Sequence, residues 1–537
     1  MRIALPRDTV LETVKDTARG RQKPSPALSP ARGTPRHGVV GACIALTVAL
    51  SGLVYLQGVP PLWWDEGWTL CVAHNWMAQG HYGCLLTGKP APPSLAGHFL
   101  VVAPVALSFR WLGTGIWQAR LVGLVFTGGA FWLLYYLSAK IYDRRVAIGA
   151  LLVALLLPIR ADLHPLLIGR QVLGEIPAVF YLLAGYAGIL LAQNRSPFFL
   201  LLAIIGWGLA LMTKAQVQPF WLASLLIPLA IAGRARRWRL VALLAAGVLG
   251  PFAIMYLVTW GRQLTASGHA LPEPPLPGLV ETQAFALVTA RRLMTMRFAM
   301  TIGLATLAGL GYATWKEARA IRLDEVDQPS RNVRLMLLTL AGSWFAWFVL
   351  LSIGWGRYAF PPVFLATPFV AALLFDLTDG FRLAGIARAA VSLRSRRPSL
   401  DCLAPICAML LIASLAYSFA GSVRSLPGND TSALQVTDFL NTATAPGSLV
   451  ETYESELFFL LQRPYHHPPD QIHVELNRRL FLHETISIDY DPLAADPDYL
   501  VIGRHGGTWR LYESVLATNA FRPIRSIGPY YVYQRVR

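Results

Sequence analysis

Charge is what this sequence has least of. Only 14% of its 537 residues are Asp, Glu, Lys or Arg, against roughly 25% in soluble domains. A chain so poor in charge cannot keep its whole surface in water, which excludes an ordinary soluble globular protein. Acidic residues are scarcer still, 30 against 47 Lys and Arg, for a net charge of +17. The centres of the apolar runs are almost free of carboxylates, and no internal repeat is visible. Both absences argue against a transporter or lipid flippase, which places ionisable groups near the bilayer midplane within repeated halves. Of the five cysteines, Cys43, Cys402 and Cys407 fall inside apolar runs, where a thiol behaves as a small apolar side chain.

What the sequence has instead is long apolar runs. The first, "VVGACIALTVALSGLVYLQG" from Val39, is long enough to cross a ~30 Å hydrocarbon core. The 38 residues before it are polar, basic and Pro-rich, far longer than the n-region of a signal peptide. They read as a disordered cytoplasmic tail (1–38) ahead of an uncleaved signal anchor. The cations cluster in short connections: "KIYDRR" at 140–145, "GRARRWR" at 233–239, "KEARAIR" at 316–322 and "RSRRP" at 394–398. Their alternation with cation-poor connections is the positive-inside rule, so the charge reports orientation against an anionic leaflet and not a nucleic-acid partner.

With the basic connections inside, eleven spans are expected near 39–57, 118–138, 146–159, 177–192, 197–213, 219–232, 239–259, 295–313, 335–352, 359–375 and 402–420. The expected fold class is an α-helical polytopic membrane protein (39–420) with a C-terminal extracytoplasmic α/β domain (421–537). The N-terminus is cytoplasmic, the C-terminus outside, and the location an integral plasma membrane. The stretch 98–112 is too short for a span and contains Pro104 and Arg110. It reads as an interfacial helix within a first outer loop of 58–117, and a loop of that size is usually functional. Residues 376–400, Arg-rich with interspersed apolar positions, read as a surface amphipathic helix. After 430, helix-like "TSALQVTDFLNTA", "SELFFLLQ" and "TWRLYESVLATN" alternate with strand-like "GSLVETYE" and "PDYLVIG", and "FRPIRSIGPYYVYQRV" reads as a hairpin.

The outer segments carry the chemistry. "PPLWWDEGWTL" sets Asp65 and Glu66 among Trp63, Trp64 and Trp68 just outside the first span. An aromatic belt with two solvated carboxylates is one reading. The other is a partly desolvated carboxylate fit for general-base work, with indole faces for sugar rings. Lys89 in "TGKPAPPS" is either a snorkelling side chain or a point charge for a phosphate. The connection 158–178 holds Arg160, Asp162, His164, Arg170 and Glu175; Glu175 abuts a span, where charge is costly and usually functional. An Arg170–Glu175 ion pair fixing that loop is the structural alternative. Arg357 and Tyr358 stand at the outer end of a later span. Cys71 and Cys84 share the first outer loop, in an oxidising compartment, and a disulfide there would contribute on the order of 3 kcal/mol. His466, His467, His473 and His483 match no standard metal spacing.

The motifs "WWDE", "TGKPAPP", "WQARL" at 117–121, "GRQVLGEIPA" and "GRYAFPP" together resemble the GT-C fold glycosyltransferases, over about 58–365. More narrowly they resemble the family-39-type group of protein O-mannosyltransferases and lipid A aminoarabinose transferases. The resemblance implies an inverting transfer of sugar from a polyprenyl-phosphate donor of the outer leaflet to a lipid, glycan or protein acceptor. It implies that Asp65 is the catalytic base or orients the acceptor, with Glu66 its usual neighbour. Lys89, Arg170 and Arg357 are implied to meet the donor phosphate. Glu175, where many members have aspartate, is implied to meet acceptor or metal, with Asp162 beside it. Some enzymes of this fold use a divalent cation (Mg or Mn) and others do not; Lys89 offers neutralisation without one. Membrane lipids complete the expected partners. The rival class is a non-catalytic membrane scaffold whose working part is the C-terminal domain.

Overall fold

A backbone without water must satisfy its own hydrogen bonds, so long apolar runs fold as helices. A computed structural model describes residues 36–86, 89–90, 97–158, 160–265, 289–301, 303–322, 328–352, 354–382, 403–481 and 484–537. Each of the eleven expected spans has a helix beneath it. Seven are long and apolar enough to cross a membrane: Ile116–Ile141, Glu175–Asn194, Ala215–Arg234, Trp238–Val258, Pro329–Leu350, Gly356–Leu377 and Leu403–Arg424. An eighth forms if Arg292–Thr301 and Leu304–Ile321, bent by 75°, count as one. The chain is an integral membrane protein. Arg36–Ser51, Arg144–Leu156 and Leu200–Thr213 are shorter than the expected spans, with 16, 13 and 14 residues. Helices pack closely where side chains are small: a Cβ on Gly188 would come within 2.5 Å of the Ala203 nitrogen on the neighbouring helix.

Phe99–Leu112 is a helix of 14 residues, too short to cross at 1.5 Å per residue. Its Val101, Val102, Val105 and Phe109 are buried in the same core as Trp64 and Leu70 of the Trp64–Gln79 helix. Residues 383–400, most of the expected surface helix, lie outside the described residues.

Seven strands are described. β1 (Leu85–Leu86) and β2 (Lys89–Pro90) pair antiparallel. β3 (Val450–Thr452), β4 (Tyr465–His466), β5 (Tyr499–Ile502), β6 (Phe521–Ile527) and β7 (Tyr530–Arg535) form one sheet in the order β4-β3-β5-β7-β6. β3 runs parallel to β4 and β5; β7 runs antiparallel to β5 and β6. Helix Ser432–Ala443 buries Ala433, Val436 and Leu440 in the core shared with β3, β5 and β7. The strands at 450 and 499 and the final hairpin match the sequence expectation. "SELFFLLQ" differs: only Ser455–Leu457 forms a 3-10 turn, and Phe458 and Phe459 fill the core after it. "TWRLYESVLATN" shortens to a helix at Glu513–Ala517.

Gly41–Arg537 is one compact unit, and its core explains why. A single apolar cluster runs from Leu62, Trp64 and Trp68 through Phe109 to Val450, Leu500 and Val532, joining the first loop to the C-terminal sheet. The Ile116–Ile141 helix starts near the Trp64–Gln79 helix, and its far end meets Arg334 through the Ile141 carbonyl at 3.3 Å. Asp376 and Lys316 pair at that far end too, at 2.7 Å. The basic connections at 140–145 and 316–322 therefore share the end of the bundle opposite Arg357.

Candidate functional site

The loop before the Trp64–Gln79 helix and the helix's first turn set two carboxylates side by side, and they go opposite ways. Successive helical residues are turned by about 100°. Glu66 turns inward and is fully buried with Arg120, which grips both its oxygens at 2.8 and 2.7 Å. Glu66 also accepts the amides of Val172 at 3.2 Å and Trp63 at 3.4 Å. The rest of the Arg120 guanidinium donates to the carbonyls of Leu56 and Pro60 at 2.9 and 2.7 Å. Every strong valence of this pair is spent on the protein, and Glu66 faces Arg120 rather than the open side of the helix.

Asp65 turns the other way. Its Oδ2 accepts a hydrogen bond from Arg357 Nη1 and one from the Trp63 indole at 3.3 Å. Burial alone would raise the Asp65 carboxyl, but the charge and hydrogen bond of Arg357, the Trp63 donor and the Lys214 charge together hold it below its ordinary value. The pair remains open, 36% exposed at Asp65 and 26% at Arg357. Arg357 starts the Gly356–Leu377 helix and stacks near Trp355 and Tyr358, 5.2 and 5.8 Å from their ring centres.

Beneath it, Glu175 opens the Glu175–Asn194 helix and is buried. Lys214 donates to its Oε1 at 2.5 Å, and Arg357 Nε lies 4.0 Å from the same oxygen. Lys214 Nζ also sits 5.5 Å over the Tyr358 ring. Asp65, Arg357, Glu175 and Lys214 thus converge from four separate helix ends at one end of the bundle. Among the described residues no three His, Cys, Asp or Glu side chains gather to hold a metal ion. The two carboxylates here already face an arginine and a lysine, and this donor set does not fit a divalent cation.

Four expected residues lie elsewhere. Arg170 is buried and donates to the carbonyls of Val59 at 3.0 Å and Ser51 at 3.2 Å, bracing the first loop; it neither reaches Glu175 nor faces the site. Trp64 and Trp68 are buried rather than open to a sugar. Trp64 donates to the Tyr453 carbonyl at 2.8 Å and stacks on His473 at 4.8 Å; Trp68 packs edge-on to Phe458 and His467. Only Trp63 of the three indoles stays open, edge-on to His505 at 5.2 Å. Asp162 makes an exposed pair with Arg160 at 2.8 Å. For Lys89 the backbone pairs with Leu86 in the β1–β2 hairpin, and its side chain lies outside the described residues.

Cys71 and Cys84 are free buried thiols, not a disulfide. Cys71 Sγ contacts the Tyr465 hydroxyl at 3.4 Å and Cys84 Sγ points to the Trp68 carbonyl at 3.9 Å. The loop between them is tied by the Asn75 amide donating to Gly83 O at 3.0 Å. The histidines do not converge either. His466 Nδ1 pairs with Glu451 Oε2 at 2.5 Å, His473 Nδ1 with the Tyr453 hydroxyl at 2.6 Å, and His467 is packed among aromatics, its burial pushing it down to about 3. His483 lies outside the described residues.

Arg120 and Lys214 are the residues that sequence reading passed over. Lys214 had a signal, as the lone cation in a short connection, expected outside, between two apolar runs. Arg120 stood inside a quoted motif without a role.

The C-terminal domain closes on the Asp65 helix. Ser455 Oγ donates to the Trp64 carbonyl at 2.6 Å. A Cβ on Gly67 would lie 2.3 Å from the Glu456 Cα, so only glycine permits this approach. A cavity of about 280 Å³ opens beside it, lined by Trp63, Arg160, Asp162, Glu456, Arg504 and His505 among others.

No protein-family model matches the sequence, and no curated protein matches it. Solved structures do. The chain is similar to ArnT from Cupriavidus metallidurans bound to undecaprenyl phosphate, at 16% identity and TM-score 0.59, over 93% of this chain and 98% of that one. The apo state of that protein matches at 14% identity with the same TM-score. It is also similar to the archaeal oligosaccharyltransferase AglB from Archaeoglobus fulgidus in complex with an inhibitory peptide and a dolichol-phosphate. There the identity is 13%, the TM-score 0.53, and the coverage 93% of this chain and 74% of that one. The likeness extends over the bundle and the small C-terminal sheet together, and the chain has the GT-C fold.

Proposed function

We propose that the chain is an inverting glycosyltransferase that moves a sugar from a polyprenyl-phosphate donor to an acceptor hydroxyl on the non-cytoplasmic side. One observation carries this reading: an ionised carboxylate, Asp65, and two cations, Arg357 and Lys214, meet at the one end of a GT-C bundle remote from the basic connections. The positive-inside rule puts that end outside. The similar structures bound to undecaprenyl phosphate and dolichol-phosphate support the donor class.

The chemistry follows from charge. The acceptor oxygen bonds to the anomeric carbon, whose bond to the phosphate oxygen breaks with its electron pair. The departing phosphate gains negative charge, and Arg357 and Lys214 stand where cations would stabilise it. The acceptor's proton goes to Asp65. Before donor arrives Arg357 holds Asp65; a phosphate competing for that guanidinium frees the carboxylate to accept a proton. Glu175, buried under both cations, positions them. With two cations supplying the positive charge, transfer proceeds without a divalent metal, and full turnover in chelator checks this.

The test is release of polyprenyl phosphate, read by mass spectrometry, from polyprenyl-phosphate sugars offered with membrane extract to the protein in lipid nanodiscs. Wild type is expected to release it and Asp65→Asn to lose turnover by about 10²–10⁴-fold while staying folded. Silence of folded wild type across a broad donor panel would return the scaffold reading to first place.

A further inference from the structure

The cavity of about 280 Å³ lies between the outer loops of the bundle and the C-terminal domain. Its size falls just below the roughly 300–1,000 Å³ typical of small-molecule sites, which suits one end of a ligand and not a folded partner. Its charges cancel. Arg160 pairs with Asp162 at 2.8 Å on one wall, and Arg504 with Asp430 at 3.1 Å on the other. Between them stand apolar surfaces, Pro61 and Leu167 among them, and the open indole of Trp63.

Behind this wall is a buried carboxyl that the transfer chemistry does not use. Glu456 Oε1 accepts from the Tyr530 hydroxyl at 3.0 Å, whereas Oε2 takes no hydrogen bond from any donor of the protein. Burial, then the neighbouring Glu454 charge, pushes the Glu456 carboxyl well above the usual carboxylate range. Glu454 is itself saturated by the amides of Gly503, His505 and Gly506 at 3.0, 3.2 and 2.7 Å. A wall that alternates balanced ion pairs with apolar faces, backed by the Glu456 carboxyl, matches a molecule that alternates hydroxyls with C–H faces. Trp63 connects the cavity to the chemistry: it lines the one and donates its indole hydrogen to Asp65 of the other.

We propose that this cavity binds the acceptor, and that the acceptor group it takes is an uncharged sugar. The identity of that sugar as acceptor rests on the transferase reading above; its binding here does not. The Arg–Asp pairs supply donors and acceptors to ring hydroxyls, Trp63 packs on a C–H face, and one hydroxyl is delivered to Asp65. The two Arg–Asp pairs leave this part of the lining without excess positive charge to favour a phosphorylated or carboxylated sugar over an uncharged one.

The experiment is saturation-transfer NMR of the full chain in nanodiscs with a mixture of methyl glycosides of the common hexoses, and separately with hexose 6-phosphates. At least one methyl glycoside is expected to bind. Gln171→Trp, which fills the cavity from a half-buried lining position, and Arg504→Ala, which removes one Arg–Asp pair from the lining, are each expected to weaken that binding at least tenfold. The two variants fail independently if one misfolds, and monodispersity on size exclusion identifies which is folded. Binding that survives the filled cavity, binding of no glycoside at all, or tighter binding of the phosphates would overturn the proposal. If glycosides bind but wild type releases no polyprenyl phosphate from any donor, the transferase reading falls and the sugar site stands. If donor is turned over while no glycoside binds, the site falls alone.

Discussion

Two arginine–carboxylate pairs lie one residue apart along the same helix, and they are built to opposite ends. Arg120–Glu66 is closed: both side chains are 0% exposed, the guanidinium is bidentate, and backbone groups use what remains. Arg357–Asp65 is open at its edge, and the same arginine reaches toward a second carboxylate 4.0 Å away. A charge whose bonds are all made within the protein holds the protein together. A charge with bonds left to make can be claimed by something else. Satisfaction separates the two roles, since residue type does not.

The sharpest way to break this contrast is to neutralise each acid in turn. Asp65→Asn should abolish turnover at unchanged unfolding temperature. Glu66→Ala should do the reverse in kind: it strands Arg120 without its counter-charge, and losing one partner of a buried pair costs about 3–5 kcal/mol. Thermal unfolding in detergent, followed beside donor turnover, reads both. Equal unfolding temperatures for the two variants would erase the distinction.

A smaller effect concerns pH. Turnover that needs ionised Asp65 is present above its pKa and lost as pH falls through it. Because Arg357 holds that carboxyl down, the acid limb of kcat/KM should fall below the ordinary 3.8. In Arg357→Gln the raising effect of burial is less opposed, so the limb of the residual activity should move to higher pH. A limb that stays in place would mean that another group titrates. Smallest is Trp63→Phe, which removes one of the donors to Asp65: a modest rise of the same limb, and no change in unfolding temperature, are expected from the pH profile and melting curve.

Much of this was legible in the sequence, and the boundary of legibility has a physical cause. Apolar runs and basic connections are local signals, and they place the helices and the end at which the site lies. Asp65, Glu175 and Arg357 could be found because charge at the edge of a span is rare enough to notice. Which of Asp65 and Glu66 faces the site could not, because that depends on where Arg120 arrives from, 54 residues along. Trp64 and Trp68 look like open indoles until a domain nearly 400 residues away covers them, as the Trp64–Tyr453 bond across 389 positions does. Lys214 and Arg170 are each a single cation beside a span; only the fold decides that the first meets Glu175 and the second two carbonyls.

Gly67 gives that long reach a consequence in time. The Asp65 helix emerges nearly 400 residues before the surface that seats it, from Tyr453 to Tyr530. Until the final hairpin is in place, Trp64, Trp68 and the bare backbone at Gly67 face open space. The site is thus completed late, and a chain without that hairpin carries Asp65, Arg357, Glu175 and Lys214 without the surface that seats the Asp65 helix.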